Sequence, residues 1–460
     1  MGFAHDFVWG AATAAYQIEG AAHEDGRGLS VWDVFCRREG AVHGGQNGDV
    51  ACGHYHRYAE DVALMRDIGL TGYRFSISWP RVLPEGVGRV NDAGLAFYDR
   101  LVDSLLAAGV TPYITLFHWD FPFELYCKGG WLNRDSAAWF AEYARVVTER
   151  LSDRVRHWMT LNEPQCFVTL GHSAAVHAPG VKLAFPTEYL RVAHHALLAH
   201  GAAVQAIRAA TKQPAHIGYA PMGVMRTPAT DSPADIAAAK RATFDMPRYG
   251  DFWASSWWMD PVYLGRYPED GLALYGRDMP AGFEADLATI HQPLDFFGFN
   301  LYSASRVRMG EDGAPAEVPM PTGYPITRFN WYVTPEALYW APKFYHERYG
   351  LPIYVTENGM SNADWPMRDG RVHDAQRIDF LARYLREYRR AAEDGVPLAG
   401  YFQWSLLDNF EWAEGYKERF GLIYVDYPSG RRLPKDSARW YGETIRANGE
   451  NLEDAGAFGR

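Results

Sequence analysis

The chain has 460 residues, of which 48% are apolar and 15% aromatic, so it can bury a large hydrophobic core. Its net charge of −11 and isoelectric point of about 5.8 argue against nucleic acid or an anionic membrane surface as a partner. No apolar run approaches the ~18 residues that a membrane-spanning helix needs.

The N-terminus and the cysteines indicate where the protein works. Residues 1–6 contain no basic stretch followed by an apolar one, so we expect no signal peptide and a cytoplasmic protein. The four cysteines are scattered and form no C-x-x-C pair, which fits a reducing compartment and does not fit a zinc site.

Short apolar, β-branched runs alternate with amphipathic stretches along the whole chain. Gly69 and Gly109 follow two of the amphipathic stretches, at positions where a glycine commonly ends a helix. Helices are predicted over 58–68, 92–108, 136–151, 188–210 and 233–244. Strands are predicted over 7–11, 72–79, 111–119, 159–164, 216–220, 295–302, 351–357 and 398–406.

Eight strands separated by helices favour an all-parallel sheet, which closed on itself is an eight-fold β/α (TIM) barrel of the α/β class. The sequence shows neither a linker nor an internal repeat. We therefore expect one domain over residues 1–460, with a loosely held tail after about residue 447. The stretch 310–325 holds four prolines and three glycines, is too long for a tight turn, and is expected to form a loop over the barrel rim.

Two of the predicted strands end in glutamate, at Glu163 and Glu357. Glutamate is rarely buried without a partner and is disfavoured inside strands, so two such ends favour paired-carboxylate chemistry. Two solvated loop glutamates would give the same pattern. In a β/α barrel the active site lies at the C-terminal strand ends, which bring these two positions to the same face of the barrel.

The other strand ends and the loops after them carry polar and aromatic side chains. This set suits an uncharged sugar, because hydroxyls need amide, carboxylate and imidazole partners while the apolar ring face needs an indole. Two carboxylates could then cleave a glycosidic bond. The set contains no metal-like cluster and no Gly-rich phosphate loop, so we expect neither a metal nor a cofactor. Its members are Gln17, Glu19, Arg74, His118, Trp119, Asn162, Asn300, Tyr302, Trp404 and the segment 408–412.

Five strings in the sequence match one known family in order and spacing. They are FVWGAATAAYQIEG at 7–20, YRFSISWP at 73–80, TLNEP at 160–164, VTENG at 355–359 and NFEW at 409–412. The chain resembles the family-one retaining β-glycosidases, the β-glucosidase family, from residue 7 to about residue 435. The resemblance implies a TIM barrel that hydrolyses terminal β-glycosides.

The resemblance also implies roles for individual residues. Glu163 matches the acid/base and Glu357 the nucleophile, with Arg74 and Asn162 beside them. Asn300 and Tyr302 match the residues on strand six near the nucleophile, and Trp331 matches an aromatic platform for the leaving group. Residues expected to contact the sugar are Gln17, His118, Trp119, Trp404, Glu411, Trp412 and Phe420.

Individually, several of these residues have structural interpretations. Trp404 could be a core residue, His118 a satisfied barrel histidine and Arg74 part of a structural ion pair. The tryptophans Trp253, Trp257 and Trp258 are expected to serve packing rather than binding. The family resemblance favours the site roles of Trp404, His118 and Arg74 at the strand ends. It does not change the packing role expected for the three tryptophans.

Two departures from the family pattern occur, at 172–175, where the chain reads His-Ser-Ala-Ala, and at Leu301. Both concern the cavity entrance, so the leaving-group preference stays open.

The alternative functions are those of a 6-phospho-β-glycosidase, a thioglucosidase and an inactive sugar-binding protein. Glu411 argues against the first because it would repel a phosphate, and the presence of Glu163 and of both carboxylates argues against the other two. The expected partners are small β-glycosides or oligosaccharides such as cellobiose. The sequence leaves open which of glucosides, galactosides and fucosides is preferred. It also leaves open whether the protein forms a homo-oligomer.

Overall fold

The computed structural model describes residues 2–246 and 248–453. Its thirteen strands, in chain order, are β1 (Val8–Ala12), β2 (Gly72–Ser76), β3 (Thr111–Phe117), β4 (His157–Asn162), β5 (His216–Ala220), β6 (Met225–Pro228), β7 (Phe297–Asn300), β8 (Ala304–Met309), β9 (Pro315–Val318), β10 (Ile353–Asn358), β11 (Leu398–Trp404), β12 (Ile423–Asp426) and β13 (Arg431–Pro434).

Among the described residues, sixteen α-helices lie between and after these strands. They are α1 (Ala15–Ile18), α2 (Val31–Phe35), α3 (His54–Ile68), α4 (Trp79–Val82), α5 (Asp92–Ala107), α6 (Phe123–Cys127), α7 (Ser136–Leu151), α8 (Pro164–His172), α9 (Thr187–Ala210), α10 (Pro233–Phe244), α11 (Ser255–Tyr263), α12 (Glu269–Tyr275), α13 (Phe283–Ile290), α14 (Ala337–Tyr349), α15 (Ala375–Glu393) and α16 (Asp436–Arg446). Within the described ranges none of them is long and apolar enough to cross a membrane.

Eight strands form one parallel sheet in the order β5-β4-β3-β2-β1-β11-β10-β7. The gap between its two edges is bridged by backbone hydrogen bonds from Asp295 to Ile217 (2.9 Å) and from Asn300 to Pro221 (3.0 Å). The sheet is thereby closed, and the predicted eight-fold barrel is confirmed. Helix α7 packs against α9 outside this barrel. Strand β2 is buried along its whole length, as expected for a parallel strand covered on both faces.

The helix and strand boundaries follow local chemistry. Helix α3 ends at Gly69, whose φ of 95° lies in the left-handed region and whose N–H donates to the carbonyl of Met65. The strand predicted over 72–79 ends instead at Ser76, and α4 begins at Trp79. Pro80 lacks an N–H for strand pairing and has a φ suited to the first helical turn, which explains the early end.

The stretch 310–325 was predicted to be a rim loop, and the structure differs in that its first half contains β9 (Pro315–Val318). Backbone bonds between Gly310 and Ala314 close a tight turn, with Gly313 in the left-handed region at φ 77°. The turn joins β8 and β9 into a hairpin, which pairs through β8 with β6 at the rim. Short, half-exposed strands of this kind lack the buried, β-branched runs that predict barrel strands.

Residues 448–453, the part of the predicted loose tail that the structure describes, are held by hydrogen bonds and packing. The Asn448 side chain accepts a hydrogen bond from the Trp9 indole (3.0 Å) and donates one to the Phe3 carbonyl (2.7 Å). A 3₁₀ helix follows over Glu450–Glu453 and buries Leu452. Residues 454–460 lie outside the described residues.

Candidate active site

The C-terminal ends of the barrel strands surround a cavity of about 330 Å³. Of the predicted site residues, three lie directly behind its wall, namely Gln17, Arg74 and Asn162. Eleven more line it, namely His118, Trp119, Glu163, Asn300, Tyr302, Trp331, Glu357, Trp404, Glu411, Trp412 and Phe420. Glu19, which the sequence also placed at a strand end, does not line the cavity and instead forms a buried ion pair with Arg81 (2.9 Å).

Glu163 lies between the end of β4 and the start of α8. Its backbone is left-handed, with φ 44°, a conformation that costs roughly 1–3 kcal/mol for a residue other than glycine. Asn300 Nδ2 donates to Glu163 Oε1 at 2.9 Å, and no Lys or Arg of the described chain forms an ion pair with this carboxyl. Burial, and then the nearby charge of Glu357, raise the pKa of Glu163 to about 7.

Glu357 has a different environment, near the end of β10. Arg74 Nη1 lies 2.6 Å from Glu357 Oε1, and the Tyr302 hydroxyl donates to Oε2 at 2.6 Å. Burial raises the pKa of Glu357, while Arg74 and then Tyr302 oppose that rise by favouring the ionised form. Because Glu163 has no such cation, Glu357 is the carboxyl of the pair that ionises first.

Arg74 is held by several acceptors, which fixes its position relative to both glutamates. Its Nη2 donates to Asn162 Oδ1 at 2.6 Å, and its Nε donates to Thr115 Oγ1 at 3.1 Å. Asn162 is bonded in turn to the His118 ring (3.0 Å) and accepts from Asn300 Nδ2 (3.0 Å). This network joins the ends of four barrel strands, so neither carboxyl can move without disturbing buried hydrogen bonds.

The closed end of the cavity holds a third carboxyl, Glu411. Gln17 Nε2 donates to Asn409 Oδ1 (2.9 Å), to the Phe410 carbonyl (2.8 Å) and, at 3.4 Å, to Glu411 Oε2. Glu411 Oε1 has no hydrogen bond within the described chain and can accept from a ligand. Enclosure by the cavity, followed by the charge of Glu357, raises the pKa of Glu411 well above its usual range.

The whole chain matches one enzyme family. The family described as Glycosyl hydrolase family 1 matches residues 1–450. The chain belongs to glycosyl hydrolase family 1. A "1,4-beta-D-glucan glucohydrolase" of Thermotoga neapolitana is 46% identical over 452 residues, covering 97% of this chain and 99% of the relative. A "Bifunctional beta-D-glucosidase/beta-D-fucosidase" of Bifidobacterium breve is 42% identical, covering 97% and 98%.

Solved structures agree with this family 1 assignment. The β-glucosidase from Thermotoga maritima in complex with glucoimidazole superposes with a TM-score of 0.89 at 44% identity, covering 97% of this chain and 99% of that one.

In this family 1 chain, aromatic side chains form the walls of the cavity. Trp404 is buried and faces the His118 ring at 5.7 Å between centroids. Trp412 packs against Trp119 at 4.6 Å. On the opposite side Trp331 lies 5.0 Å from Tyr302. These rings line the same cavity as the two glutamates.

A glycine after Glu357 allows strands β10 and β11 to end side by side. A Cβ on Gly359 would lie 1.9 Å from the Trp404 carbonyl oxygen, so any larger residue would push Trp404 away from the cavity. This close approach explains the Asn-Gly sequence after the glutamate.

Sequence reasoning missed several residues of the site. Thr115 holds Arg74, and Cys166 and Leu170 line the cavity three and seven residues after Glu163. The helical spacing of the last two was a usable signal, because positions three and seven apart share a helix face. Met222 and Phe329 come from irregular segments, for which the sequence offers no such signal. Trp257 and Trp258 are fully buried, and their predicted packing role is confirmed.

Proposed function

We propose that this protein is a retaining β-glucosidase in which Glu163 is the acid/base and Glu357 the nucleophile. The observation that carries the proposal is the contrast between the two buried carboxyls on one cavity. Glu357 is held by Arg74 and Tyr302, while Glu163 forms no ion pair within the described residues and has a pKa raised to about 7. Carboxyls whose environments separate their pKa values are the pattern expected of an acid and a nucleophile.

In the first step Glu163 is protonated and donates its proton to the glycosidic oxygen. Glu357, ionised, attacks the anomeric carbon, and the bond to the leaving group breaks. A covalent glycosyl-enzyme ester forms on Glu357. Arg74 and Tyr302 favour the ionised carboxylate before the attack, so they also keep it oriented toward the anomeric carbon.

In the second step Glu163, now ionised, acts as a base. It removes a proton from a water molecule that attacks the anomeric carbon, and Glu357 leaves as a carboxylate. Two displacements at one carbon return the original β configuration. Formation of the ester also removes the charge of Glu357, which lowers the pKa of Glu163 and suits it to its second role.

The sugar that this cavity accepts is proposed to be a terminal β-glucosyl residue, with β-galactosyl and β-fucosyl residues as further substrates. Glu411 Oε1 is available to accept from hydroxyls at the closed end, and Trp404 offers a flat apolar face. The name of the Bifidobacterium breve relative supports the fucosyl substrate. The name of the Thermotoga neapolitana relative supports short glucans such as cellobiose as substrates.

A 6-phosphorylated sugar is expected to bind poorly. The lining of the cavity, as far as the chain is described, includes no Lys or Arg, whereas it includes Glu163, Glu357, Glu411 and Glu414. A phosphate would therefore lose hydration without gaining a cation.

The test is steady-state turnover of nitrophenyl glycosides. We expect nitrophenyl β-glucoside to be hydrolysed and nitrophenyl α-glucoside, the matched control, to be refused. The first-formed sugar, followed by proton NMR, should be the β-anomer. Absence of β-glucoside hydrolysis by a folded protein, or an α-anomeric first product, would contradict the proposal.

A further inference from the structure

A pair of histidines lies at the N-terminal end of the barrel, opposite the candidate active site. His157 is the first residue of β4 and His216 the first residue of β5, and the two are register partners in the sheet. Partners in parallel strands point to the same face of a sheet, so the two rings lie side by side. Both side chains are partly exposed, and a small ligand can reach them from solvent.

Neighbouring aromatic rings hold both imidazoles in place. The His157 ring stacks on Tyr113 at 4.2 Å between centroids, with an interplanar angle of 22°. The His216 ring stacks on Phe296 at 5.1 Å, with an angle of 26°. The Tyr113 ring also lies 4.9 Å from Phe402, although β1 and β2 separate their strands in the sheet, so this layer of rings lies inside the barrel. The directions of the two imidazoles are therefore fixed before any ligand binds.

The distance between the two rings fits a bridging metal ion. Their Nδ1 atoms lie 3.3 Å apart and share one hydrogen bond, so one nitrogen carries a hydrogen and the other accepts it. Zinc binds imidazole nitrogen at about 2.0–2.1 Å, and at that distance from both atoms the N–Zn–N angle is about 104–111°, which includes the tetrahedral angle that zinc prefers. The displaced hydrogen can move to Nε2 of the same ring, so both imidazoles stay neutral.

The charges around the pair set the expected strength of binding. Burial lowers the pKa of both rings, that of His157 to about 4, so neither is protonated at neutral pH and no proton competes with a metal. Arg156 and Arg208 disfavour a further positive charge near His216, and Asp295, which pairs with Arg208, opposes their effect. In the described ranges no group of three or more His, Cys, Asp or Glu side chains is placed to hold a metal. We therefore expect two protein ligands, with water completing the coordination, and a micromolar Kd.

We propose that His157 and His216 form a zinc site that links β4 to β5 at the N-terminal end of the barrel. The prediction of no metal came from the residues at the C-terminal strand ends, to which this pair does not belong. Strand β5 is an edge strand of the sheet and borders the seam where the barrel closes on β7. An ion that binds only the folded chain stabilises it, so zinc would strengthen the barrel next to this seam. The proposal does not depend on the proposed function.

The test is isothermal titration of the full chain with Zn²⁺, after bound metal has been removed with EDTA and the chelator dialysed away. We expect one ion per chain with a micromolar Kd. Thermal unfolding should show a Tm about 2–3 °C higher at a Zn²⁺ concentration about a hundred times the Kd. Absence of binding up to millimolar Zn²⁺ would overturn the proposal.

Variants assign the binding to this pair. His216→Phe removes one ligand and keeps a ring that can stack on Phe296, and it should weaken Zn²⁺ binding by at least about tenfold and abolish the gain in Tm. His157→Phe should have the same effect and replaces it if His216→Phe does not fold. His23→Phe, the same change at an exposed histidine, is the control and should leave both measurements unchanged. Equal binding by the wild type and a folded variant of the pair would show that the ion binds elsewhere, and it would refute the site.

Discussion

Removing the ionisable carboxyl at position 163 should change how stability depends on pH. Burial and Glu357 raise the pKa of Glu163 from its ordinary 4.5 to about 7. At about 1.4 kcal/mol per pH unit, a rise of about 2.5 pH units makes ionisation in the folded chain cost about 3 kcal/mol. Since the pKa is higher in the folded chain, the stabilisation is complete below about pH 4.5 and is lost as pH rises through about 7.

Glu163→Gln removes this titration while keeping the shape of the side chain. Between pH 5 and pH 8 the wild type should lose about 2.5 kcal/mol that the variant does not lose. For a chain of 460 residues about 1 kcal/mol corresponds to about 1 °C in Tm, so the variant should gain about 2–3 °C relative to the wild type over this range. The assay is thermal unfolding of both proteins at one scan rate in buffers from pH 5 to pH 8.

The matched control is Glu39→Gln, the same substitution at an exposed position. Its Tm should follow that of the wild type at every pH. If Tm of Glu163→Gln also follows that of the wild type in parallel from pH 5 to pH 8, Glu163 is ionised throughout, and the reasoning from burial is refuted.

Three further outcomes follow from the same site. In the free enzyme kcat/KM should fall above about pH 7, as Glu163 loses its proton, and again in acid, as Glu357 is protonated; a profile flat to pH 9 would contradict the acid role. Glu163→Ala should slow alkyl glucosides far more than dinitrophenyl glucoside, because only the former need a proton, and equal losses across the series would argue against this role. Glu411→Ser should lower kcat/KM for nitrophenyl β-glucoside by about two orders of magnitude, because two hydrogen bonds to the sugar are lost. It should also reduce the ratio of kcat/KM for this substrate to kcat/KM for its 6-phosphorylated form. An unchanged ratio would show that Glu411 does not contact the sugar.

The barrel and most of the site could be predicted because both depend on regular patterns. Helix α7 was predicted at its observed bounds, since an amphipathic stretch between two turn signals leaves little freedom. Glu163 and Glu357 were found because parallel strands in a barrel end at the same face. The family resemblance then supplied further residues of the cavity, among them Trp331 and Phe420.

Features that depend on contacts distant in sequence could not be predicted. The C-terminal segment is held by Asn448, whose partners Trp9 and Phe3 are more than 430 residues away. The raised pKa of Glu411 depends on burial and then on carboxyls that the fold brings close, and its sequence neighbours give no sign of them. The rim strands β8 and β9 are short, and the surrounding prolines and glycines hide them.

The assignment of Glu357 as nucleophile and Glu163 as acid/base is tested by the configuration of the glucosyl azide that Glu357→Ala forms from dinitrophenyl β-glucoside and sodium azide. Without the carboxylate, azide should enter from its side of the sugar and displace the leaving group in one step, so the account predicts α-glucosyl azide by proton NMR. Formation of β-glucosyl azide would mean that the variant still forms the covalent intermediate, and it would contradict the assignment of Glu357.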